Sequence, residues 1–216
     1  MKIAIAIIAA VIIIVSGLMF FLSRGPDASQ FDHIREPRIS QMSHQKMVAV
    51  RAEGDPNVVG KKAFNLLFSI YFKIEGTLKG LERPAPRARW PNPLGRPKEE
   101  WVGIYALPVP QETTELPEYQ AEPGLDISLS TWEYGNIAEI LHIGPYDAEK
   151  STVNKLVEFI AKQGYEIIGD HEEEYVKGPG LFGIGNPDKY LTIIRYQVKR
   201  VNESTQSRLV EPVTAG

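Results

Sequence analysis

The segment His171-Glu172-Glu173-Glu174-Tyr175 sets an imidazole, three carboxyls and a phenol side by side in strand-forming sequence. Side chains alternate between the faces of a strand, so His171, Glu173 and Tyr175 share one face and Glu172 and Glu174 the other. If the first face looks into a cleft, Glu173 is a desolvated carboxylate among aromatic rings, a state that calls for a compensating cation or hydrogen bond. Such a group can hold a lipophilic cation with help from aromatic faces, or act as a general base toward a bound water. Tyr175, about 7 Å along the same face, can orient a ligand or donate a proton. The competing reading is a solvated edge strand bearing three acids.

Other residues bear on the same cleft. Trp90, Trp101, Trp132, Tyr105 and Tyr134 are candidates to line it, although aromatic side chains of this kind also fill cores. His171 with Glu173 would supply half of a metal site, but no second pair at metal-ligand spacing is evident, and neither a metal nor any other cofactor is expected. His142-Ile143-Gly144-Pro145-Tyr146 reads as a strand-to-helix turn, with Tyr146 packing the start of the helix. Gly178-Pro179-Gly180-Leu181-Phe182-Gly183 spells a dinucleotide fingerprint, yet it leads to another strand rather than a helix. It lacks the helix N-terminus that would hold a pyrophosphate, and reads as a loop at the lip of the cleft.

The elements that must position these groups occur twice. Val48-Ala49-Val50-Arg51-Ala52-Glu53-Gly54 aligns at an offset of 90 with Ala138-Glu139-Ile140-Leu141-His142-Ile143-Gly144. Ala63, Leu66, Leu67 and Ile70 map at the same offset onto Val153, Leu156, Val157 and Ile160, both sets spaced as one buried stripe of a helix. Trp101-Val102-Gly103-Ile104 likewise meets Leu191-Thr192-Ile193-Ile194. The expected fold is α+β, two β-α-β-β units related by a pseudo-twofold axis, forming an antiparallel sheet with two helices and a central groove. The prolines at 84, 86, 91, 93 and 97 predict a short edge strand carrying Trp90 followed by a loop. The second unit is expected to hold a strand over 127–143 bent near Gly135, a helix over 148–163 and strands at 165–175 and 190–198.

With 216 residues, 43% of them hydrophobic, the chain can bury one substantial core. A net charge of −3 and the lack of a basic patch with interleaved aromatics exclude nucleic acid as an expected partner. There is no cysteine, hence no disulfide framework and no thiol nucleophile. Residues 3–22 are an unbroken run of apolar or small residues, long enough at about 1.5 Å per residue to span a bilayer, and read as an uncleaved anchor rather than a signal peptide. The expected organisation is a transmembrane anchor at 1–24, a linker at 25–38, a ligand-binding domain at 39–200 and a disordered tail at 201–216. The short tail bearing Lys2 tilts the soluble part toward the periplasmic side of a bacterial inner membrane.

Ala138 through Tyr146, the amphipathic helix that follows and Gly164-Tyr165 resemble the GyrI-like small-molecule-binding domain, the effector-binding domain of AraC- and MerR-type multidrug regulators. Glu53-Gly54-Asp55-Pro56-Asn57 with Phe64, Leu67-Phe68-Ser69 and Tyr71-Phe72-Lys73 resembles stand-alone members of that superfamily. The resemblance covers about residues 39–199 and implies two β-α-β-β units around a ligand groove. The family's glutamate in the last strand is missing here, where Leu191-Thr192-Ile193-Ile194-Arg195 stands. His171, Glu173, Tyr175 and Pro179 are instead similar to the H-x-E-x-Y…P pattern of a subset that hydrolyses cyclopropane-bearing toxic compounds; this implies Glu173 as the water-activating carboxylate and Tyr175 as its partner. The leading expectation is a membrane-anchored domain that binds a small hydrophobic or cationic ligand, with a hydrolase of electrophilic small molecules as the alternative. A second alternative is a membrane-tethered adaptor that contacts a protein partner through the Pro/Glu-rich connector 109–124 or the C-terminal tail.

Overall fold

A computed structural model of the chain describes residues 26–91, 96–179 and 185–201. The anchor expected at 3–22, most of the glycine-rich loop and nearly all of the expected tail lie outside the described residues. Among the described residues no helix is long and apolar enough to cross a membrane.

The duplication organises the fold. Strand β2 (Gln45–Glu53) opens the first unit and β6 (Gly135–Ile143) the second, their bounds separated by the offset read from the sequence. Each strand ends at a glycine with positive φ, 131° at Gly54 and 137° at Gly144, a backbone state that disfavours any side chain. In the first unit Asp55 caps helix α1 (Pro56–Tyr71) by accepting from the Asn57 amide, with Pro56 at the first turn. In the second, Pro145 and a 3₁₀ turn at Tyr146–Ala148 lead into α2 (Lys150–Lys162). The returning strands are β3 (Arg87–Trp90) and β4 (Val102–Pro108) in the first unit. Those of the second are β7 (Tyr165–Ile167), β8 (His171–Lys177) and β9 (Leu191–Arg200).

Two further strands, β1 (Arg38–Met42) and β5 (Leu125–Trp132), precede the units and are exchanged between them: β1 pairs with β6, and β5 with β2. The register that joins Gln45 to Trp132 continues into the pair Met42 and Gly135, so residues 38–52 and 125–139 keep one antiparallel register across both strand pairs. The sheet order is β1-β6-β9-β8-β3-β4-β2-β5, with β7 added to β9 off this path.

Some expectations change. The strand carrying Trp90 is not at an edge but in the middle of the sheet, between β4 and β8. Pro86 and Pro91 bracket it without entering it, so all four of its residues keep the N–H groups a central strand needs. For the same reason β8 is no solvated edge: it lies between β3 and β9, with Glu172 and Glu173 buried. The strand expected over 165–175 breaks at residues 168–170 into β7 and β8. Residues 28–34, read as linker, form a 3₁₀ helix whose Ile34 is buried against Leu141, Leu191 and Ile193.

Both helices lie on one face of the sheet. Ala63, Leu66, Leu67 and Ile70 of α1 pack on Val48, Val50 and Leu107, while Leu156 and Ile160 of α2 pack on Ala138, Ile140 and Ile194. Val157, expected in the stripe, is exposed, so the α2 stripe is narrower than that of α1. Each helix covers its own half, which leaves β3 and β8 as the floor between them.

Candidate functional site between the helices

Three residues of β8 point to that floor. His171 stands in register with Trp90 and Glu173 with Ala88, whose small side chain leaves room beside the carboxylate. His171 Nε2 lies 3.1 Å from Glu173 Oε1, and His171 Nδ1 is 2.8 Å from the Tyr196 hydroxyl on β9. A third acid enters from the start of α2: Glu149 Oε1 is 3.8 Å from His171 Nε2. The side chains of His171 and Glu173 are 11% and 9% exposed and that of Glu149 23%, so the cluster opens toward solvent on the α2 side.

Aromatic rings wall the cluster. Tyr175 packs edge-on against Phe64 of α1 at 5.9 Å and against Tyr146 at 5.4 Å, and Tyr146 lies 5.3 Å from Tyr190. Phe64 continues to Tyr105 at 4.9 Å, and Trp90 meets both Trp101 and Tyr105. Burial, then the charge of Glu173, raise Glu149 to about 8, opposed by His171. Burial works against a charged His171, but the hydrogen bond and charge of Glu173, with Glu149 and Glu172, outweigh it and hold the imidazole above its ordinary value. Burial and the carboxylates push the Tyr105 and Tyr196 phenols up to about 12, and the Tyr175 phenol well above its ordinary value. These tyrosines are therefore neutral hydrogen-bond donors at physiological pH.

The other face of the same strands has a different electrostatic character. Glu172 takes Arg89 Nε at 2.8 Å and Arg195 Nη1 at 2.9 Å; Glu174 lies 3.1 Å from Arg87 Nε and 3.2 Å from Arg195; Glu139 lies 3.4 Å from Arg195 and 2.8 Å from Arg38. Four arginines thus match three glutamates, Glu139 and Glu172 buried and Glu174 partly so. A small polar cleft of about 210 Å³ opens beside them, lined by Arg89, Tyr134, Asp170 and Arg195 among others.

Of the residues singled out in the sequence, Glu173, Tyr175, His171, Trp90, Trp101 and Tyr105 come together on the helix face. Trp132 and Tyr134 do not. Arg89 stacks over Trp132 at 3.8 Å and Tyr134 donates to Glu172, which places both with the arginine network behind the sheet. They sit at the bend between β5 and β6, where a strand-by-strand assignment of faces has no fixed phase. His142 holds its turn through Thr152 Oγ1 at 3.0 Å and the Pro145 carbonyl at 3.1 Å. Glu149, Tyr196 and Tyr190 were not anticipated. Tyr196 follows from alternation along β9 and Tyr190 stands just before that strand, but nothing in helical periodicity marks Glu149, since it precedes the first full turn of α2.

No protein-family model matches the chain, and no curated protein resembles it in sequence. Solved structures do resemble it in fold. An uncharacterized conserved protein from Listeria innocua matches over 80% of this chain and 99% of its own at 22% identity and a TM-score of 0.62. A hydrolase from Listeria innocua matches over 79% and 96% at 22% identity and a TM-score of 0.60. The EcmrR C-terminal domain matches over 77% and 98% at 14% identity and a TM-score of 0.55. At these identities the likeness is one of architecture: the chain shares the α+β fold of these proteins.

Proposed function

We propose that the groove between α1 and α2 binds a small, partly hydrophobic ligand whose polar or cationic end meets Glu173, with His171 and Tyr175 beside it and the aromatic rings around it. The observation that carries this reading is the contrast between the two faces of β8. Glu172 and Glu174 are matched by arginines, whereas Glu173 and Glu149 on the helix face have no guanidinium or ammonium within 4 Å among the described residues. Carboxylates at least partly buried, with only the His171 imidazole beside them and walled by π-faces, suit a lipophilic cation or a ligand rich in donors. The full-length chain should be thermally stabilised by members of a panel of hydrophobic cations and neutral electrophiles. A ligand at 100 times its Kd adds about 2.7 kcal/mol, and Glu173→Gln should remove most of that gain. Stabilisation by no compound would sink the reading and turn attention to a protein-binding role.

A second reading is hydrolysis of an electrophilic ligand in the same groove. It is favoured by the neutral Tyr175 phenol beside Glu173, which puts a base for water and a proton donor on one strand face. Turnover lost in Glu173→Gln while binding persists would support it; no turnover of any electrophile that binds would count against it. We further infer that the apolar run 3–22 tethers the domain to a bacterial inner membrane with the groove on the periplasmic side. The native chain has no cysteine, so a single cysteine introduced at exposed Lys61 gives an unambiguous test. Labelling of whole cells by a membrane-impermeant maleimide is expected, and labelling only after lysis would reverse the orientation.

A further inference from the structure

The donor atoms at the polar end of the groove are already gathered as metal ligands would be. One atom from each of Glu149, His171 and Glu173 lies within 4.8 Å of the others, with His171 Nε2 3.1 Å and 3.8 Å from the two carboxylate oxygens. Ligands about 2.0–2.1 Å from a tetrahedral ion stand about 3.4 Å from one another, so small side-chain rotations would close the set. Once an ion has displaced their protons, two carboxylates and a neutral imidazole carry a charge of −2, which a divalent ion balances.

Three other observations point the same way. Glu149 Oε2 is buried with no protein partner. The Tyr196 hydroxyl occupies the far side of His171, where an outer-shell partner orients a ligating ring and leaves Nε2 for the ion. Trp90 and Thr192, register neighbours of His171 and Tyr175, are more than nine-tenths buried; Trp90 Nε1 and Thr192 Oγ1 lack a protein partner and belong to the same face. They are available to a polar group held on an ion.

We propose that Glu149, His171 and Glu173 bind one divalent transition-metal ion, zinc foremost, with a coordination position open to the groove. A mixed nitrogen and oxygen set favours such an ion over magnesium or calcium. The inference rests on the groove reading only for what the ion does: it would hold a donor atom of the ligand, with Glu173 acting through the metal rather than as a free carboxylate.

The full-length chain, stripped with a chelator, is titrated with Zn²⁺ by calorimetry and with Co²⁺ by visible absorption. One ion per chain is expected, with Co²⁺ d–d bands. Glu149→Gln and His171→Ala should each weaken Zn²⁺ roughly 100-fold or more, and Tyr196→Phe roughly 10- to 100-fold, as losses of outer-shell partners do. Exposed Glu158→Gln should leave affinity unchanged. No stoichiometric ion in the wild type overturns the proposal whether or not a variant folds, and so does an affinity unmoved by Glu149→Gln and His171→Ala in proteins of native circular dichroism. Thermal stabilisation by an organic ligand that persists in chelator, with no ion bound, sinks the metal site and leaves the groove reading; ion binding without any organic ligand supports the site and removes that reading.

Discussion

Arg195 is the residue on which the back of the sheet depends. It is 5% exposed and reaches Glu139, Glu172 and Glu174, and these three carboxylates hold its guanidinium above its ordinary pKa in spite of burial. Replacing it by methionine keeps the bulk but strands buried charge, so Arg195→Met should cost about 3–5 kcal/mol in urea denaturation. Glu139 reports on the same network. Burial opposes its ionisation, but Arg195 first, then Arg38 and Ser40, outweigh it and hold the carboxyl below its ordinary value of 4.5. A carboxyl with a depressed folded pKa adds stability above that ordinary value and loses it as pH falls toward the folded one. Glu139→Gln should therefore be less stable than wild type at pH 7 and show a flatter acid limb below about pH 4.5; parallel stability curves would refute this. The separation of Glu173 from Glu172 and Glu174 was legible from strand alternation alone. The identity of their partners was not, because Arg87, Arg89 and Arg195 come from β3 and β9, far along the chain, and only the register brings them opposite β8.

At the scale of elements, the two strand-to-helix turns are the clearest trace of the duplication. Gly54 and Gly144 fill equivalent places with nearly the same positive φ, and a side chain at Gly54 would also press on Val59 Cγ1 at 3.0 Å. Gly54→Ala and Gly144→Ala should each cost about 1–3 kcal/mol, readable as a drop in Tm. Because Gly144 ends the turn that carries Tyr146 and Glu149, its variant should also weaken any ligand held in the groove, whereas Gly54→Ala should act on stability alone. Equal effects of the two on binding would place the polar end elsewhere. The repeat was legible because helix stripes and strand runs kept a constant spacing through two units. The position of β3 was not, because proline density over 84–97 argues for an edge while only the placement of Pro86 and Pro91 just outside the strand permits a centre.

For the whole molecule the exchange of β1 and β5 has the larger consequence. Each unit borrows the strand that precedes the other: β6 gains backbone partners from β1, and β2 from β5. Neither half then presents a completed sheet on its own, and β3 and β8 join the two halves again at the centre. Two similar units in sequence would by themselves allow two separate transitions; this topology predicts one. The tryptophans make the distinction measurable, since Trp90, Trp101 and Trp132 all lie in the first unit or on the strand paired to it, and none in the second. Leu156 of α2 is fully buried in the second unit, and Leu156→Ala should cost about 2–5 kcal/mol. If the exchanged strands bind the halves into one cooperative body, that remote loss should move the tryptophan fluorescence transition in urea by the same amount as the circular dichroism transition. A fluorescence midpoint that stays at the wild-type value while circular dichroism shows an earlier step would mean that the first unit folds independently, and that the groove between the helices is a seam able to open without global unfolding.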